Sequence, residues 1–325
     1  IGMAASWDTE LMARVADAIA LETKARGIRM VLSPVVNLAT DPRWGRVEET
    51  YGEDPLLASA FGVAYVKAME SRGIITTPKH FVANHGDGGR DSYPIFHSER
   101  LLRETYLKPF EACIKLGGAR SIMTSYNSLN GRPCSANHWL LNTVLRKDWG
   151  FRGFVISDAA ATGGANVLHF TARDYGDAGK QSVENGQDVI FQTDFAHYDL
   201  FSKPYLDGTV KQAAIDSAVA RVLRMKFELG LFDAPYVSDS LLNALDMKAH
   251  RELAYEIAAK GSVLLKNENA SLPFDPKWKK ILVLGDEADE VLLGGYSGPG
   301  NAPVSIWAGL WDRLKDRTEL QVGGH

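Results

Sequence analysis

The chain has 325 residues, of which 45% are hydrophobic and 23% charged, so it is long and apolar enough for one large α/β unit plus part of another. Its formal net charge of −4 is spread along the sequence, which argues against nucleic acid or an anionic membrane as a partner. Two cysteines, Cys113 and Cys134, exclude a disulfide framework or a cysteine zinc site, and no apolar run is long enough to cross a bilayer.

The predicted elements alternate between helices and strands. Apolar residues recur every fourth position from Trp7 to Ile19, behind Asp8 as a helix cap, which predicts a helix over 8–26. Further helices are predicted over 55–71, 98–116, 137–149 and 177–184, and in a segment with Ile215, Val219, Val222 and Phe227 on one face that ends at Gly230. Strands are predicted over 29–32, 74–76, 121–125, 154–156 and 188–191.

This order of elements predicts an α/β fold with about five β-then-α units in series, which requires parallel strands joined by crossovers. Polar residues follow several successive strands, and this favours an incomplete (β/α)8 TIM-type barrel over 1–235 rather than an open sheet. A polar linker and a helix are predicted over 236–262. Strands over 261–266 and 280–285 indicate the start of a second α/β domain, an αβα sandwich, over 263–325. We expect both ends of the chain to be cut from a longer polypeptide.

Polar side chains stand at the predicted carboxyl ends of the strands. These residues are Lys79 and His80, Tyr126 and Asn127, Asp158, and Gln192 with Asp194. In a barrel the strand ends meet on one face, where active sites are built from the strand-to-helix loops. Taken singly, each of these side chains is explained by a structural role. A cation, an imidazole, a phenol and an acid at the same position of successive units together predict a catalytic site.

The loop DPRWGRVEETYGEDP at 41–55 is too polar for a strand and is interrupted by glycine and proline. Its acids, taken singly, are explained as members of a solvated loop with internal salt bridges. Its two arginines, tryptophan and several acids are nevertheless the residue types that bind sugars, since an indole covers C–H surfaces and charged groups bind paired hydroxyls. The loop is therefore a candidate part of a sugar pocket.

Several motifs in a fixed order resemble glycoside hydrolase family 3. They are the loop 41–55, PKHF at 78–81, GGR at 88–90, SER..LRE from Ser98, MTSYNSLNG at 123–131 and GFVISD ending at Asp158. The likeness runs from Ile1 to about Val237 and resumes in LLKN and LPF at 264–274. The resemblance implies a retaining, exo-acting β-glycosidase, in the first place a β-glucosidase.

The resemblance also implies roles for single residues. Asp158 matches the catalytic nucleophile, which forms a covalent glycosyl-aspartate intermediate. The substrate-binding residues implied are Arg46, the cis-peptide-linked pair Lys79 and His80, Tyr126 beside the nucleophile, and Met123 on the same strand. A nucleophilic carboxylate must be ionised at neutral pH, and we expect Lys79 or Arg46 to lower the pKa of Asp158.

The sequence departs from the family pattern in two respects. Retaining chemistry needs a second carboxyl about 5 to 5.5 Å away to protonate the leaving oxygen. In most of the family this acid/base is a glutamate in the second domain, so we expect the remainder of the polypeptide to supply it. Ala159 and the two alanines behind it also stand where many relatives have an aromatic residue. They either allow a tight backbone turn or widen the floor of the site for a different aglycone.

Three other functions stay open. A β-xylosidase is the nearest alternative. A β-N-acetylhexosaminidase of the same family would need a histidine–aspartate dyad, but KHFVANHGDGGRDSY has Tyr93 at the histidine position, although His85, Asp87 and Asp91 are present. A phenol with a pKa of about 10 is a poor proton shuttle at neutral pH. A sugar-binding protein without turnover is the candidate from another class.

The expected partner is an oligosaccharide or an aryl β-glucoside. The implied chemistry needs no metal and no organic cofactor, and no spacing of His, Cys or acidic residues indicates one. Nucleic acid and membrane are not expected as partners. The sequence leaves the compartment open between periplasmic or secreted and cytoplasmic, and it leaves open whether the protein is a homo-oligomer.

Overall fold

The computed structural model describes residues 1–193, 195–275, 277–298, 300 and 302–323. The chain divides into two units, Ile1–Val263 and Leu264–His325. The strands of the first unit are β1 (Met30–Val31), β2 (Ile75–Thr76), β3 (Ser121–Thr124), β4 (Ser128–Leu129), β5 (Arg132–Pro133) and β6 (Phe154–Ser157). They include the strands whose carboxyl ends carry the predicted site residues.

The parallel strands of the first unit lie side by side in the order of the sequence. β1 pairs with β2, and β3 pairs with β6 in register from Ser121↔Phe154 to Thr124↔Ser157. Single bridges join the remaining neighbours, Phe81 to Thr124 and Ile156 to Val189. This is the parallel arrangement that the alternating elements predict. β4 and β5 form a short antiparallel hairpin that the sequence pattern did not indicate.

Helices connect the strands. The α-helical segments of the first unit are Thr9–Ala25, Pro55–Ser71, Glu99–Leu101, Lys108–Ala112, Gly164–Val167, Tyr175–Glu184, Asp199–Leu206, Gln212–Glu228, Ser240–Asn243 and Met247–Gly261. Wider π-helical turns extend over Leu102–Tyr106, Cys113–Gly117 and Trp139–Asp148, and short 3₁₀ turns over Ala4–Ser6, Val47–Glu49, Asp87–Gly89, Cys134–Ala136, Ala161–Gly163 and Phe195–His197. The first two long helices begin as predicted, because Asp8 and Asp54 cap them by accepting hydrogen bonds from Leu11 and Leu57.

Alternate residues of the strands pack on opposite faces. Ile122 and Val155 belong to the larger core, which the outer helices cover, whereas Met123 and Ile156 belong to a second cluster. Met225 of the helix Gln212–Glu228 packs against this second cluster. Both faces of the central strands are thus apolar, and polar groups collect at the strand ends.

Two predicted strands are not formed as such. The segment 188–191 forms a single bridge to β6, at Val189, because the Phe191 N–H donates to the Ser157 side chain at 2.9 Å and not to its backbone carbonyl. The segment 261–266 begins as the last turn of the helix Met247–Gly261 and continues without regular structure. Leu265 is 91% exposed there, as expected where no neighbouring strand covers the chain.

The second unit contains β7 (Lys280–Leu284) and β8 (Glu319–Gly323), which pair in parallel, and the helix Ile306–Leu314 between them. The predicted strand at 280–285 is therefore confirmed, whereas the helix was not predicted. A short 3₁₀ turn covers Glu268–Ala270. Within the described parts of both units, none of the helices combines the length and apolarity that a membrane span requires.

Candidate active site

The predicted site residues lie at the carboxyl ends of neighbouring parallel strands. Lys79 forms a parallel bridge with Val35 beyond the end of β2, and its N–H and C=O bond to the chain that continues from β1. Tyr126 follows β3, and Asp158 follows β6 directly, with its N–H 3.3 Å from the carbonyl oxygen of Thr124. Gln192 is half-buried on the next segment, whereas Asp194 lies outside the described residues.

The Asp158 carboxylate is mostly buried, with 11% of its side chain exposed. Its Oδ1 accepts a hydrogen bond of 2.7 Å from the N–H of Ala159. Its Oδ2 lies 3.3 Å from Nε2 of His80, yet neither atom has a hydrogen-bond partner among the described residues. One oxygen of this buried carboxylate is therefore uncommitted, although buried polar atoms are usually bonded.

The charges of Lys79 and Arg46 act to lower the pKa of Asp158, as expected, but the net shift is in the opposite direction. Burial raises the pKa of Asp158 above its ordinary value of 3.8, because removal from water disfavours the charged form. The opposing contributions are a hydrogen bond from Ala159, the charge of Lys79, a hydrogen bond from Tyr126 and the charge of Arg46. Lys79 and Arg46 thus reduce the increase in the pKa of Asp158 that burial causes.

The two cations are themselves held by the protein. Arg46 donates two hydrogen bonds to Glu49, of 2.6 Å from Nε and 2.9 Å from Nη2, a bidentate pair that fixes the guanidinium plane. Lys79 is buried, and this burial lowers its pKa, while the charge of Asp158 counteracts the change. Glu49 was predicted as a member of a loop with internal salt bridges that also forms part of a candidate sugar pocket, and its pair with Arg46 is such a salt bridge.

Asn37 holds His80 in place, a contact that the sequence did not reveal. The His80 N–H donates to Asn37 Oδ1 at 2.6 Å, and Asn37 Nδ2 donates to the His80 carbonyl oxygen at 2.8 Å. The ring atom Nδ1 lies 2.9 Å from the same Oδ1. The Lys79–His80 peptide bond is cis. The sequence feature that could have pointed to this contact is a single polar residue, Asn37, within the apolar run VVNLA that follows a strand.

Tyr126 and the segment behind Asp158 contact each other. The hydroxyl of Tyr126 acts on the Asp158 carboxylate as a hydrogen-bond donor that lowers its pKa. The ring atom Nε2 of His169 donates to the Tyr126 carbonyl oxygen at 2.8 Å, which ties the chain after Asp158 to the end of β3. Burial lowers the pKa of His169. His169 stands outside the motifs and was not predicted as part of the site.

Met123 and the three alanines at 159–161 are the apolar residues that the sequence associated with the site. Met123 is buried in the second apolar cluster, so its contact with a sugar stays a prediction. Ala159 is half-buried and Ala161 is buried. Ala160 has φ 60° and ψ 5°, the left-handed region, directly before the turn Ala161–Gly163. The tight-turn explanation for the small residues therefore has a structural basis, and the aglycone explanation stays a prediction.

The loop that would carry the histidine–aspartate dyad is built differently here. Tyr93 is exposed, and the Arg90 guanidinium lies 5.7 Å from its ring centroid. Asp91 accepts a hydrogen bond of 2.9 Å from Asn84. A ring nitrogen of His85 donates to the carbonyl oxygen of Leu38 at 3.2 Å. Within the described part of the chain, no three His, Cys, Asp or Glu side chains gather into a metal-binding group.

Comparisons with known proteins identify the family of the chain. The family model "Glycosyl hydrolase family 3 N terminal domain" matches residues 1–225, and the model "Glycosyl hydrolase family 3 C-terminal domain" matches residues 262–322. A β-xylosidase from Formosa agariphila is 36% identical over 98% of this chain and 48% of its own length. A periplasmic β-glucosidase from Salmonella typhimurium is 33% identical over 98% of this chain and 44% of its own length.

The similarity to solved structures also extends over nearly the whole of this chain. The solved structure of a β-glucosidase from Erythrobacter marinus matches with a TM-score of 0.93 and 33% identity over 99% of this chain and 44% of that one. The first unit accordingly has a TIM-barrel-like α/β fold. The chain spans about half the length of the curated relatives it matches. The motifs, the fold and the matches to both family models agree, and the chain belongs to glycosyl hydrolase family 3.

Proposed function

We propose that the protein is a retaining, exo-acting β-glycosidase with Asp158 as its nucleophile, and in the first place a β-glucosidase. The observation that carries this proposal is the uncommitted Oδ2 of Asp158, a buried carboxylate oxygen on which the charges of Lys79 and Arg46 act. A carboxylate kept for structural reasons would have its lone pairs bonded. This one has an oxygen available for a reacting carbon.

In the proposed reaction, an oxygen of Asp158 attacks the anomeric carbon and forms an ester bond while the bond to the leaving oxygen breaks. Water then hydrolyses the glycosyl-aspartate. Lys79, Arg46 and the Tyr126 hydroxyl support the ionised form of the nucleophile against the effect of burial. The acid/base that protonates the leaving oxygen is proposed to be a glutamate in the remainder of the polypeptide, and no cofactor enters the reaction.

Sugar binding is proposed for Arg46, Lys79, His80, Met123 and Tyr126. Arg46 and Lys79 are hydrogen-bond donors, and Arg46 is preorganised by Glu49. A buried, water-poor site of this kind strengthens each bond to a sugar hydroxyl. Met123 requires a sugar that reaches the apolar cluster at the strand interior, and it is the least supported of the five.

The proposed preference between glucosides and xylosides depends on the names of the related proteins. The named relatives include both a β-xylosidase and a β-glucosidase at similar identity, so a β-xylosidase is the second candidate. A β-N-acetylhexosaminidase is disfavoured, because the exposed phenol of Tyr93 replaces the histidine of the dyad. The domain bounds 1–235, 236–262 and 263–325, and a (β/α)8 barrel that lacks its first strands, also belong to this proposal.

A burst experiment with activated substrates tests the proposed function. The dinitrophenyl β-glycosides of glucose, xylose and N-acetylglucosamine have leaving groups that need no protonation, so Asp158 alone suffices for the first step. We expect a dinitrophenolate burst that is fastest with the glucoside and absent in Asp158→Asn. A faster burst with the xyloside would reassign the sugar. Tight glucoside binding without any burst would show a sugar-binding protein and contradict the proposal.

A further inference from the structure

The orientation of the Asn37 side-chain amide is determined by the backbone of His80. A backbone N–H is always a donor and a backbone carbonyl is always an acceptor. The atom 2.6 Å from the His80 N–H must therefore be the amide oxygen, and the atom 2.8 Å from the His80 carbonyl oxygen must be the amide nitrogen. The exchange of O and N that often makes asparagine ambiguous is excluded here.

This orientation determines which ring nitrogen of His80 carries the hydrogen. Nδ1 lies 2.9 Å from the amide oxygen of Asn37, which can only accept, so Nδ1 is the protonated nitrogen. In the neutral ring Nε2 is then a bare acceptor. His80 is fully buried, and its burial together with the charges of Arg46 and Lys79 lowers its pKa well below the ordinary value. The ring is therefore neutral at pH 7.

The bare Nε2 of His80 and Oδ2 of Asp158 face each other at 3.3 Å. Both are acceptors, and neither has a hydrogen-bond partner among the described residues. Two buried lone pairs at this distance are unfavourable unless a donor serves them. The arrangement fits a ligand group that brings a hydrogen, such as a hydroxyl, and it excludes a group that can only accept.

We propose that Asn37 is a positioning residue that fixes the Nδ1–H tautomer of His80, so that the bare Nε2 of His80 accepts a hydrogen bond from a hydroxyl of the substrate beside the Asp158 nucleophile. The identity of the hydroxyl-bearing ligand as a sugar rests on the proposed function. The tautomer and its dependence on Asn37 rest on the contacts of Asn37 alone. Nothing in this assignment requires Asn37 to touch the substrate.

Histidine labelling with ¹⁵N tests the tautomer without any catalysis. The chain contains eight histidines, and the His80 signals are assigned by their loss in His80→Gln. We expect a protonated Nδ1 and a bare Nε2 in the ligand-free protein near neutral pH. A protonated Nε2, or a charged ring at that pH, would overturn the proposal. This outcome is independent of whether Asp158 is glycosylated, so it distinguishes failure of this inference from failure of the proposed function.

The variant Asn37→Asp tests the role of Asn37 in the reaction. Its carboxylate still accepts from Nδ1 but favours the charged imidazolium, which then donates from Nε2 to Asp158 and occupies the nucleophile. The charged groups around the ring in the unaltered protein are Asp158, Lys79 and Arg46. We expect the acid limb of the dinitrophenyl glucoside burst rate to move about one pH unit or more upward, with the rate recovering at higher pH.

A matched control introduces a carboxylate at another buried asparagine. Asn137 accepts a hydrogen bond from the Leu140 N–H and donates one to the Leu129 carbonyl oxygen, so Asn137→Asp, like Asn37→Asp, turns a carboxylate toward a backbone carbonyl. Because these bonds do not involve His80, this variant is expected to leave the acid limb unmoved. A purely structural role of Asn37 would lower the burst rate equally at every pH, and that result would overturn the proposal. If Asn37→Asp does not fold, Asn37→Ser is used with the ¹⁵N readout, and an unchanged tautomer in that variant would also contradict it.

Discussion

Two buried aspartates lie near opposite ends of strand β6, and their hydrogen bonds differ: Asp158 follows the strand directly, and Asp188, on the neighbouring segment, lies beside its start. Near the start of the strand, Asp188 accepts hydrogen bonds from the Val155 N–H at 2.7 Å and from Arg146 at 2.8 Å, and its other oxygen accepts from Arg221 at 2.7 Å. At the carboxyl end, Asp158 accepts hydrogen bonds from the Ala159 N–H and from the Tyr126 hydroxyl, but its Oδ2 lacks a hydrogen-bond partner among the described residues.

This difference separates a carboxylate that holds the fold from one that is proposed to act on a substrate. The side chain of Asp188 has no exposed surface, and both of its oxygens bond to the protein. Asp158 keeps a route to solvent and an unused oxygen. Burial alone therefore does not distinguish the two roles, whereas the count of hydrogen bonds to each oxygen does.

The largest expected effect is that of Asp158→Asn on the reaction. An amide at this position cannot form the glycosyl ester, so the burst rate should fall on the order of 10⁴-fold or more. The measurement is the pre-steady-state release of dinitrophenolate from the activated glucoside. A burst of undiminished size in a homogeneous Asp158→Asn preparation would mean that another residue is the nucleophile.

Asp188→Asn should instead destabilise the fold. The change removes the negative charge between Arg146, which is largely buried, and Arg221, so we expect a loss of about 3 kcal/mol in the free energy of unfolding. Urea denaturation measures this loss. The burst rate of the folded fraction should change far less than in Asp158→Asn.

A matched control for that prediction is Glu104→Gln. Glu104 pairs with Arg100 on the exposed surface of its helix, where such pairs contribute little, so no measurable change is expected. If Asp188→Asn were as stable as Glu104→Gln, the structural role assigned to Asp188 would be wrong.

The pH dependence of stability gives a smaller effect with a definite sign. Because burial raises the pKa of Asp158, the folded state holds its proton more tightly than the unfolded state does. The stabilisation from Asp158 is therefore complete below the ordinary value of 3.8 and is lost as the pH rises through the raised value. Asparagine does not ionise, so the stability of Asp158→Asn relative to the unaltered protein should increase with pH in that window.

Urea unfolding of both proteins between about pH 4 and about pH 8 measures this difference. The difference should grow from the acid side and then become constant. A difference that decreases with rising pH would show that the hydrogen bonds and cations outweigh burial at Asp158, and that its pKa is lowered.

The smallest expected effect concerns specificity. Ala159→Trp places an aromatic side chain directly behind the nucleophile, and we expect it to change the relative rates with aryl glucosides and disaccharides by a few-fold, about 1 kcal/mol. Ala160→Gly is the control, because glycine accepts the left-handed backbone at φ 60° and adds no side chain. Unchanged relative rates in Ala159→Trp would leave only the tight-turn explanation for the alanines.

Local features made part of this structure predictable. Asp8 and the four-residue repeat behind it define the first helix, and the apolar run before Asp158 defines β6 and delivers the acid to the strand end. These signals depend on neighbours in sequence. The family motifs added the remaining site residues, which the parallel strands bring to the same strand ends.

The features that could not be predicted depend on contacts between residues that are far apart in the sequence. The bonds between Asn37 and His80 join residues that are 43 positions apart. The net pKa shift of Asp158 depends on how deeply the carboxyl is buried, a quantity that sequence does not provide. Likewise, the strand predicted over 188–191 stops because the Phe191 N–H bonds to the side chain of Ser157, 34 positions earlier in the chain.

The most direct test of the central claim is the covalent mass adduct formed with an activated 2-deoxy-2-fluoro-β-glucoside. The fluorine slows hydrolysis of the glycosyl-enzyme more than its formation when the leaving group is good, so the intermediate accumulates. We predict one glycosyl unit per chain, located by peptide mass spectrometry on the carboxylate of Asp158. A label on a different carboxylate, or no label on a protein that hydrolyses the corresponding glucoside, would contradict the account.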